Sequence, residues 1–123
     1  MSNVIADLGT AIKRDDVLGW LSTWSTWVVR LEGRLVGAVR ARREGEVWDI
    51  GRIMVVPDLQ GRGLGRLLLE HIEAVAAPEA TSYLLFTGAR SEDNLRMYRK
   101  AGYRLRPDLP TPPSAVVLTK RRS

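Results

Sequence analysis

Apolar residues recur at helical spacing in only a few places along this chain, and elsewhere they run or alternate as strands do. Leu64, Leu67, Leu68, Ile72 and Val75 give one apolar face to a helix that starts after a glycine-rich turn and runs to about Ala77, where Pro78 stops it. Before that turn, Glu46 to Val56 reads as a strand, buried over Ile50 to Val56 and ended by Pro57, which has no backbone donor for a ladder. Trp27–Leu31 and Leu35–Arg42 read as a hairpin around the polar turn Glu32-Gly33-Arg34. Tyr83–Thr87 is a short buried strand, Ser91–Ala101 a helix capped by Ser91, and Tyr103–Arg106 a further strand. A proline-bearing loop from Arg106 to Ser114 leads to a last strand, Ala115–Lys120. At the front, Thr10–Leu21 reads as a short helix, with Ile12, Val17, Leu18 and Leu21 apolar and Asp15 and Asp16 exposed. Hairpin strands followed by strands alternating with helices predict an α/β protein of the α+β type, with a mixed, mostly antiparallel central sheet and helices on both faces.

The turn between strand and helix carries the strongest chemical signal. In Val55-Val56-Pro57-Asp58-Leu59-Gln60-Gly61-Arg62-Gly63-Leu64-Gly65-Arg66, three glycines separated by single residues let main-chain N–H groups converge at the positive end of a helix dipole. A phosphate-bearing ligand suits that concavity, although glycines also serve tight turns with no ligand. Two nucleotide signatures are excluded. A P-loop needs Lys then Ser or Thr after its last glycine, where this chain has Arg66 and Leu67, and a dinucleotide fingerprint needs its third glycine where Arg66 stands.

These residues resemble the acyl-CoA loop of the GNAT superfamily of N-acetyltransferases: Gln60, Gly63 and Gly65 match its pattern of Gln or Arg, two residues, Gly, one residue, Gly or Ala. Val55 and Pro57 match its usual strand end, and Asn94 to Tyr103 resembles its second signature, an Asn and a Tyr four apart before a Gly-aromatic strand start. The resemblance spans about Trp27 to Tyr103. It implies a single GNAT-like domain over residues 1–123, with acetyl-CoA as co-substrate, and a shortened front, because only residues 1–26 precede the hairpin where the family has a strand and two helices. It also implies that the loop from Gln60 through Gly61, Arg62, Gly63, Leu64 and Gly65 to Arg66 holds the coenzyme, that Met54, Val55 and Val56 offer an edge to pantetheine, and that Asn94 and Tyr98 complete the site. Homodimerisation follows from the same resemblance, with the proline-bearing loop and last strand as contacts.

Composition narrows the setting. A chain of 123 residues makes one domain. The absence of cysteine excludes disulfides, thiolate metal sites and a cysteine nucleophile. No apolar run approaches membrane-spanning length and Met1–Thr10 lacks the order of a signal peptide, so a cytoplasmic location without membrane partners is expected. The net charge of +5 and the cluster Arg40, Arg42, Arg43, Arg121 and Arg122 invite a nucleic-acid reading, but acidic residues are interspersed and no nucleic-acid module is present. Arg62, Arg66 and Arg90 have a simpler use in pairing with coenzyme phosphates.

Amide formation from a thioester needs a neutral amine, a stabilised oxyanion and a proton for the thiolate. Tyr98, one turn after Asn94, is a phenol that stays protonated at neutral pH and can supply that proton; the resemblance sets it beside the coenzyme sulfur. The resemblance points to the main-chain N–H of Val55 as oxyanion donor. Asp49 is the candidate base, standing where histone-acetylating relatives carry a Glu, with an ordered water as the alternative and Glu44 and Glu46 as weaker candidates. Strand alternation sets Asp49, Gly51, Ile53 and Val55 on one face, with Trp48 on the other unless the strand is bulged. Trp20, Trp24, Trp27 and Trp48 are mostly core anchors, one of the earlier ones being free to stack on an aromatic or cationic acceptor. His71 is alone and makes no metal site.

The expected function is transfer of acetyl from acetyl-CoA to a primary amine, by direct attack through a tetrahedral intermediate. The acceptor is a small amine, an antibiotic, an amino acid, a peptide N-terminus or a lysine. A non-catalytic acyl-CoA-binding or sensing module and a basic nucleic-acid accessory protein are the alternatives.

Overall fold

The computed structural model describes residues 11–15 and 24–123, the side chain of Arg52 excepted. Seven strands of the described residues form one sheet: β1 (Ile12–Arg14), β2 (Ser25–Leu31), β3 (Arg34–Glu44), β4 (Val47–Val55), β5 (Ser82–Gly88), β6 (Arg104–Leu105) and β7 (Ala115–Arg121). Their spatial order is β1-β2-β3-β4-β5-β7-β6. Among the described strands only β4 and β5 pair in parallel; every other ladder is antiparallel. Among the described residues two α-helices accompany the sheet, α1 (Leu64–Ala74) between the parallel strands and α2 (Glu92–Lys100) after β5.

The front of the chain departs from expectation. Ile12–Arg14, read from its apolar pattern as part of a helix, is a strand that pairs with Trp27–Val29. The edge of β2 supplies it with ladder partners, and such pairing overrides the weak local preference of so short a segment. The rest of that expected helix, with Trp20, lies outside the described residues.

One face of the sheet carries the core. Val29, Val36, Val39, Ile50, Leu85 and Leu118 meet Leu64, Leu68, Leu69 and Ile72 of α1, all nearly or fully inaccessible. The helix buries Leu69 while Val75 is exposed, and it ends at Ala74, earlier than Pro78 predicts. Side chains and turns take its last carbonyls before the proline is reached. Trp48 Nε1 donates to Ile72 O at 2.9 Å, Tyr83 Oη to Glu73 O at 3.4 Å, and Val75 N–H to His71 O at 3.1 Å.

Two irregularities shape the middle of the sheet. In the β3–β4 ladder Val39 opposes Ile53 and Ala41 opposes Ile50, so β4 carries one extra residue, a bulge at Gly51-Arg52. Every side chain after the bulge therefore changes face. Asp49 lies on the face opposite the core, whereas Ile53 and Val55, expected beside it, pack with the core. Trp48 precedes the bulge and stays in the core. The second irregularity is that β4 and β5 pair only from Val47–Ile50 to Ser82–Leu85. Beyond Ile50 each strand keeps its other partner and the two diverge, opening a cleft between them.

Candidate active site

The loop after β4 is fixed by the chain's own groups. Pro57–Leu59 forms a 3-10 turn, and Gln60 Nε2 donates to Val55 O at 3.0 Å, tying the turn to the strand end. Gly63 caps α1 with φ 90°, a left-handed conformation that any side chain would strain. The chain can then enter the helix with its first free N–H groups turned outward. Gly65 lies inside α1, where an added Cβ would stand 3.6 Å from Met97 Sδ of α2.

Between this loop and α2 lies a cavity of about 850 Å³, walled by Val55, Gly63 and Gly65 on one side and Asn94, Met97 and Tyr98 on the other. Gln60, Gly61, Arg66 and Arg90 also border it. Arg96 and Lys100, which were not foreseen, add positive charge; they share α2 with Asn94 and Tyr98, and that helix was the available signal. Met54, Val56, Arg62 and Leu64 do not line it: Leu64 is sealed in the core, and Met54 and Arg62 are exposed. Leu64 can offer only main chain. Val56 N–H donates to Val36 O at 3.0 Å, so strand alternation turns the polar groups of Val55 away from β3 and toward the divergence. Ser91 occupies the cap position of α2 without a side-chain capping bond; Glu92 and Asp93 place negative charge there instead.

A second cavity, of about 610 Å³, opens on the other side of the divergence and is bordered by Asp49, Gly51, Trp24, Arg40, Arg42 and Phe86. The two cavities share Ile53, Ser91, Asn94 and Tyr98. Tyr98 is only 5% exposed, and burial raises its phenol pKa, which keeps the proton on at neutral pH.

Asp49 sits directly across from Arg42 in the ladder, with Oδ2 3.7 Å from Arg42 Nε. Its Oδ1 and the Arg42 Nε are both buried without a hydrogen-bond partner. Burial raises the Asp49 pKa and the Glu44 charge adds to the rise, against the opposing pull of Arg42 and Arg40. Glu44 itself pairs with Arg42 at 3.1 Å and is exposed. Arg40, Arg42 and Phe86 border this cavity and were missed by sequence reasoning, which named Trp24 only as one of the tryptophans able to stack on an acceptor; the two arginines alternate onto the face of Asp49, but their charge suggested a nucleic-acid patch. Trp24 stacks on these arginines rather than standing open to a cationic acceptor, their Cζ atoms lying 4.8 Å and 4.4 Å from its ring centre. Trp27 and Trp48 are core residues. His71 packs edge-on against Trp27 at 6.4 Å, with its pKa lowered by burial. Among the described residues no group of His, Cys, Asp and Glu could hold a metal, and no helix is long and apolar enough to cross a membrane.

The family model described as an acetyltransferase (GNAT) domain matches residues 22–105. This chain belongs to the GNAT acetyltransferase family. A curated relative, an IAA acetyltransferase of Azospirillum brasilense, is 35% identical over 105 residues, which are 83% of this chain and 63% of the relative. The chain thus spans less than two thirds of that protein. Among solved structures, a GNAT family acetyltransferase from Elizabethkingia anophelis with acetyl-CoA bound superposes with a TM-score of 0.71 at 18% identity, covering 86% of this chain and 81% of that one. An IAA acetyltransferase from Bacillus cereus gives 0.71 at 20% identity, covering 87% and 83%. At those identities the likeness is one of fold, and the mixed, mostly antiparallel sheet described above is the GNAT fold.

Proposed function

We propose that this protein moves an acetyl group from acetyl-CoA to an amine by direct attack, without an acyl-enzyme. The observation that carries the reading is that Tyr98 borders both cavities, one beside the glycine loop and one beside Asp49. In this reading the loop cavity takes the coenzyme. Its main-chain donors and the rim of Arg66, Arg90, Arg96 and Lys100 suit phosphate oxygens, and its apolar stretch of Val55 and Met97 suits the thin pantetheine arm.

Asp49, directly or through a water, takes the proton that makes the acceptor nitrogen a nucleophile. The raised pKa brings its basicity closer to that of the group it must deprotonate. The Val55 N–H, turned into the divergence, donates to the oxyanion as the C–N bond forms. Tyr98 gives its proton to sulfur as the C–S bond breaks, and solvent returns one to the phenol. The nitrogen sheds its second proton to solvent as the intermediate collapses, which balances the one returned to the phenol, so in net one proton leaves through Asp49 and one ends on the thiol. Homodimerisation is part of the proposal. Between β5 and β6, β7 pairs with β6 at Leu118 and Thr119 and its Val117 O accepts from Arg106 N–H at 2.9 Å, which leaves the two ends of β7 without a strand partner on that side among the described residues.

Acetyl-CoA should raise the melting temperature, since a ligand that binds only the native state stabilises it by about 2.7 kcal/mol at one hundred times its Kd. Thiol release with a panel of amines then tests turnover. No melting shift at saturating acetyl-CoA sinks the reading; a shift with no thiol release from any amine leaves a coenzyme-binding module.

A further inference from the structure

Resting on the transferase reading above, we propose that the acceptor is an amine that also carries a carboxylate, an amino acid, whose carboxylate is held by Arg40 and Arg42. Four observations converge on this. Both guanidiniums border the cavity that holds Asp49; Glu44, which pairs with Arg42 at 3.1 Å, is not part of its lining, so within the lining two cations face one anion. A carboxylate balances that surplus, whereas a polyamine or a lysine in a basic peptide would add to it.

The arginines are seated rather than trailing in solvent. Each lies over the Trp24 ring, at 4.8 Å for Arg40 and 4.4 Å for Arg42, which restricts the planar groups before any ligand arrives. The backbone is shaped for this seat. A Cβ at Gly51 would stand 2.8 Å from Arg40 Cγ and 3.0 Å from both Arg40 Nε and Trp24 Cζ3, so the glycine at the bulge is what lets Arg40 and Trp24 lie against β4.

The donors also have capacity to spare. Among the described residues, the Arg40 guanidinium has no ion pair or hydrogen bond and rests on the Trp24 ring. Arg42 is shared between Glu44 at 3.1 Å and Asp49 at 3.7 Å, yet its Nε remains buried without a hydrogen-bond partner. The exposed Arg40 guanidinium is thus the one open to a planar two-oxygen acceptor, with the Arg42 charge beside it. The opposite wall is Phe86, 40% exposed, an apolar surface for the amino-acid side chain. Such an acceptor would lie with its carboxylate on the arginines and its nitrogen toward Asp49 and Tyr98.

The test uses the whole protein with acetyl-CoA and compares L-leucine and L-phenylalanine with their carboxamides and with spermidine, reading N-acetyl product and free thiol. The free amino acids should exceed their amides by at least about tenfold in kcat/KM, as expected for losing one charge-assisted pairing. Arg40→Gln should collapse that ratio toward one, mostly through the KM of the free amino acid, while the acetyl-CoA melting shift reports that the variant is folded. Amides or spermidine acetylated as well as the free acids would overturn the proposal and leave the transferase reading standing. Acetyl-CoA binding without acetylation of any amine would overturn both.

Discussion

The two halves of this site are built in different ways. The loop side is made of main chain and of residues close in sequence: Gln60 to Arg66 form one turn, Asn94 and Tyr98 are neighbours on one helix, and Gln60 bonds back five residues to Val55. The Asp49 side is made of side chains from separate strands. Arg40 and Arg42 come from β3, Asp49 and Gly51 from β4, Phe86 from β5 and Trp24 from the residue just before β2. A local backbone site survives almost any choice of neighbours, whereas a cross-strand site exists only in one register. The first half therefore suits a constant group such as a coenzyme, and the second can change with a few substitutions.

The contrast is broken most sharply at the residue common to both halves. Tyr98→Phe should lower kcat by about 10²- to 10⁴-fold, the usual worth of a positioned acid, while the acetyl-CoA melting shift persists. Retention of turnover within a few-fold would remove Tyr98 from the chemistry. The next largest effect should come from the loop alone. Gly63→Ala forces a side chain into φ 90°, costing about 1–2 kcal/mol in a thermal melt, and should raise the KM for acetyl-CoA several-fold. The KM for the amine should move far less. If both KM values rose together, the two halves would not be separable.

The same difference explains what could be read before the fold was known. The Gln60, Gly63 and Gly65 spacing and the Asn94 to Tyr98 interval are local patterns, and the structure brings them to one cavity. The hairpin, the strand ends near Val55 and Leu31 and the two helices followed from patterning, because each buries its own periodic face. The bulge did not, since an extra residue leaves no mark on alternation beyond a glycine that could have served any turn. Without it, Ile53 and Val55 were assigned the face of Asp49. The Trp24 stack and the pairing of Arg42 with Asp49 are equally invisible locally. They depend on which strand lies beside which, and in what register. Ile12–Arg14 shows the same limit, its strand state coming from an edge that β2 offers rather than from its own residues.

The smallest expected effect lies in the acceptor half and concerns stability. Burial raises the Asp49 carboxyl above its unfolded value of about 3.9, so the folded chain holds this proton more tightly than the unfolded chain does. The stabilising contribution of the protonated group is complete below that unfolded value and is lost as pH rises through the folded one. At pH 7 the ionised, partly buried carboxylate subtracts from stability, with Arg42 offsetting part of the cost. Asp49→Asn should therefore melt higher than the parent at pH 7, and the gap should close as the pH falls toward 4. The acid limb of kcat/KM, raised in the parent above the ordinary Asp value, should be absent from whatever activity the variant keeps. A lower melting point at pH 7 with no dependence on pH would mean that the pairing with Arg42 outweighs burial. In that event Asp49 holds β3 to β4 and is not the base.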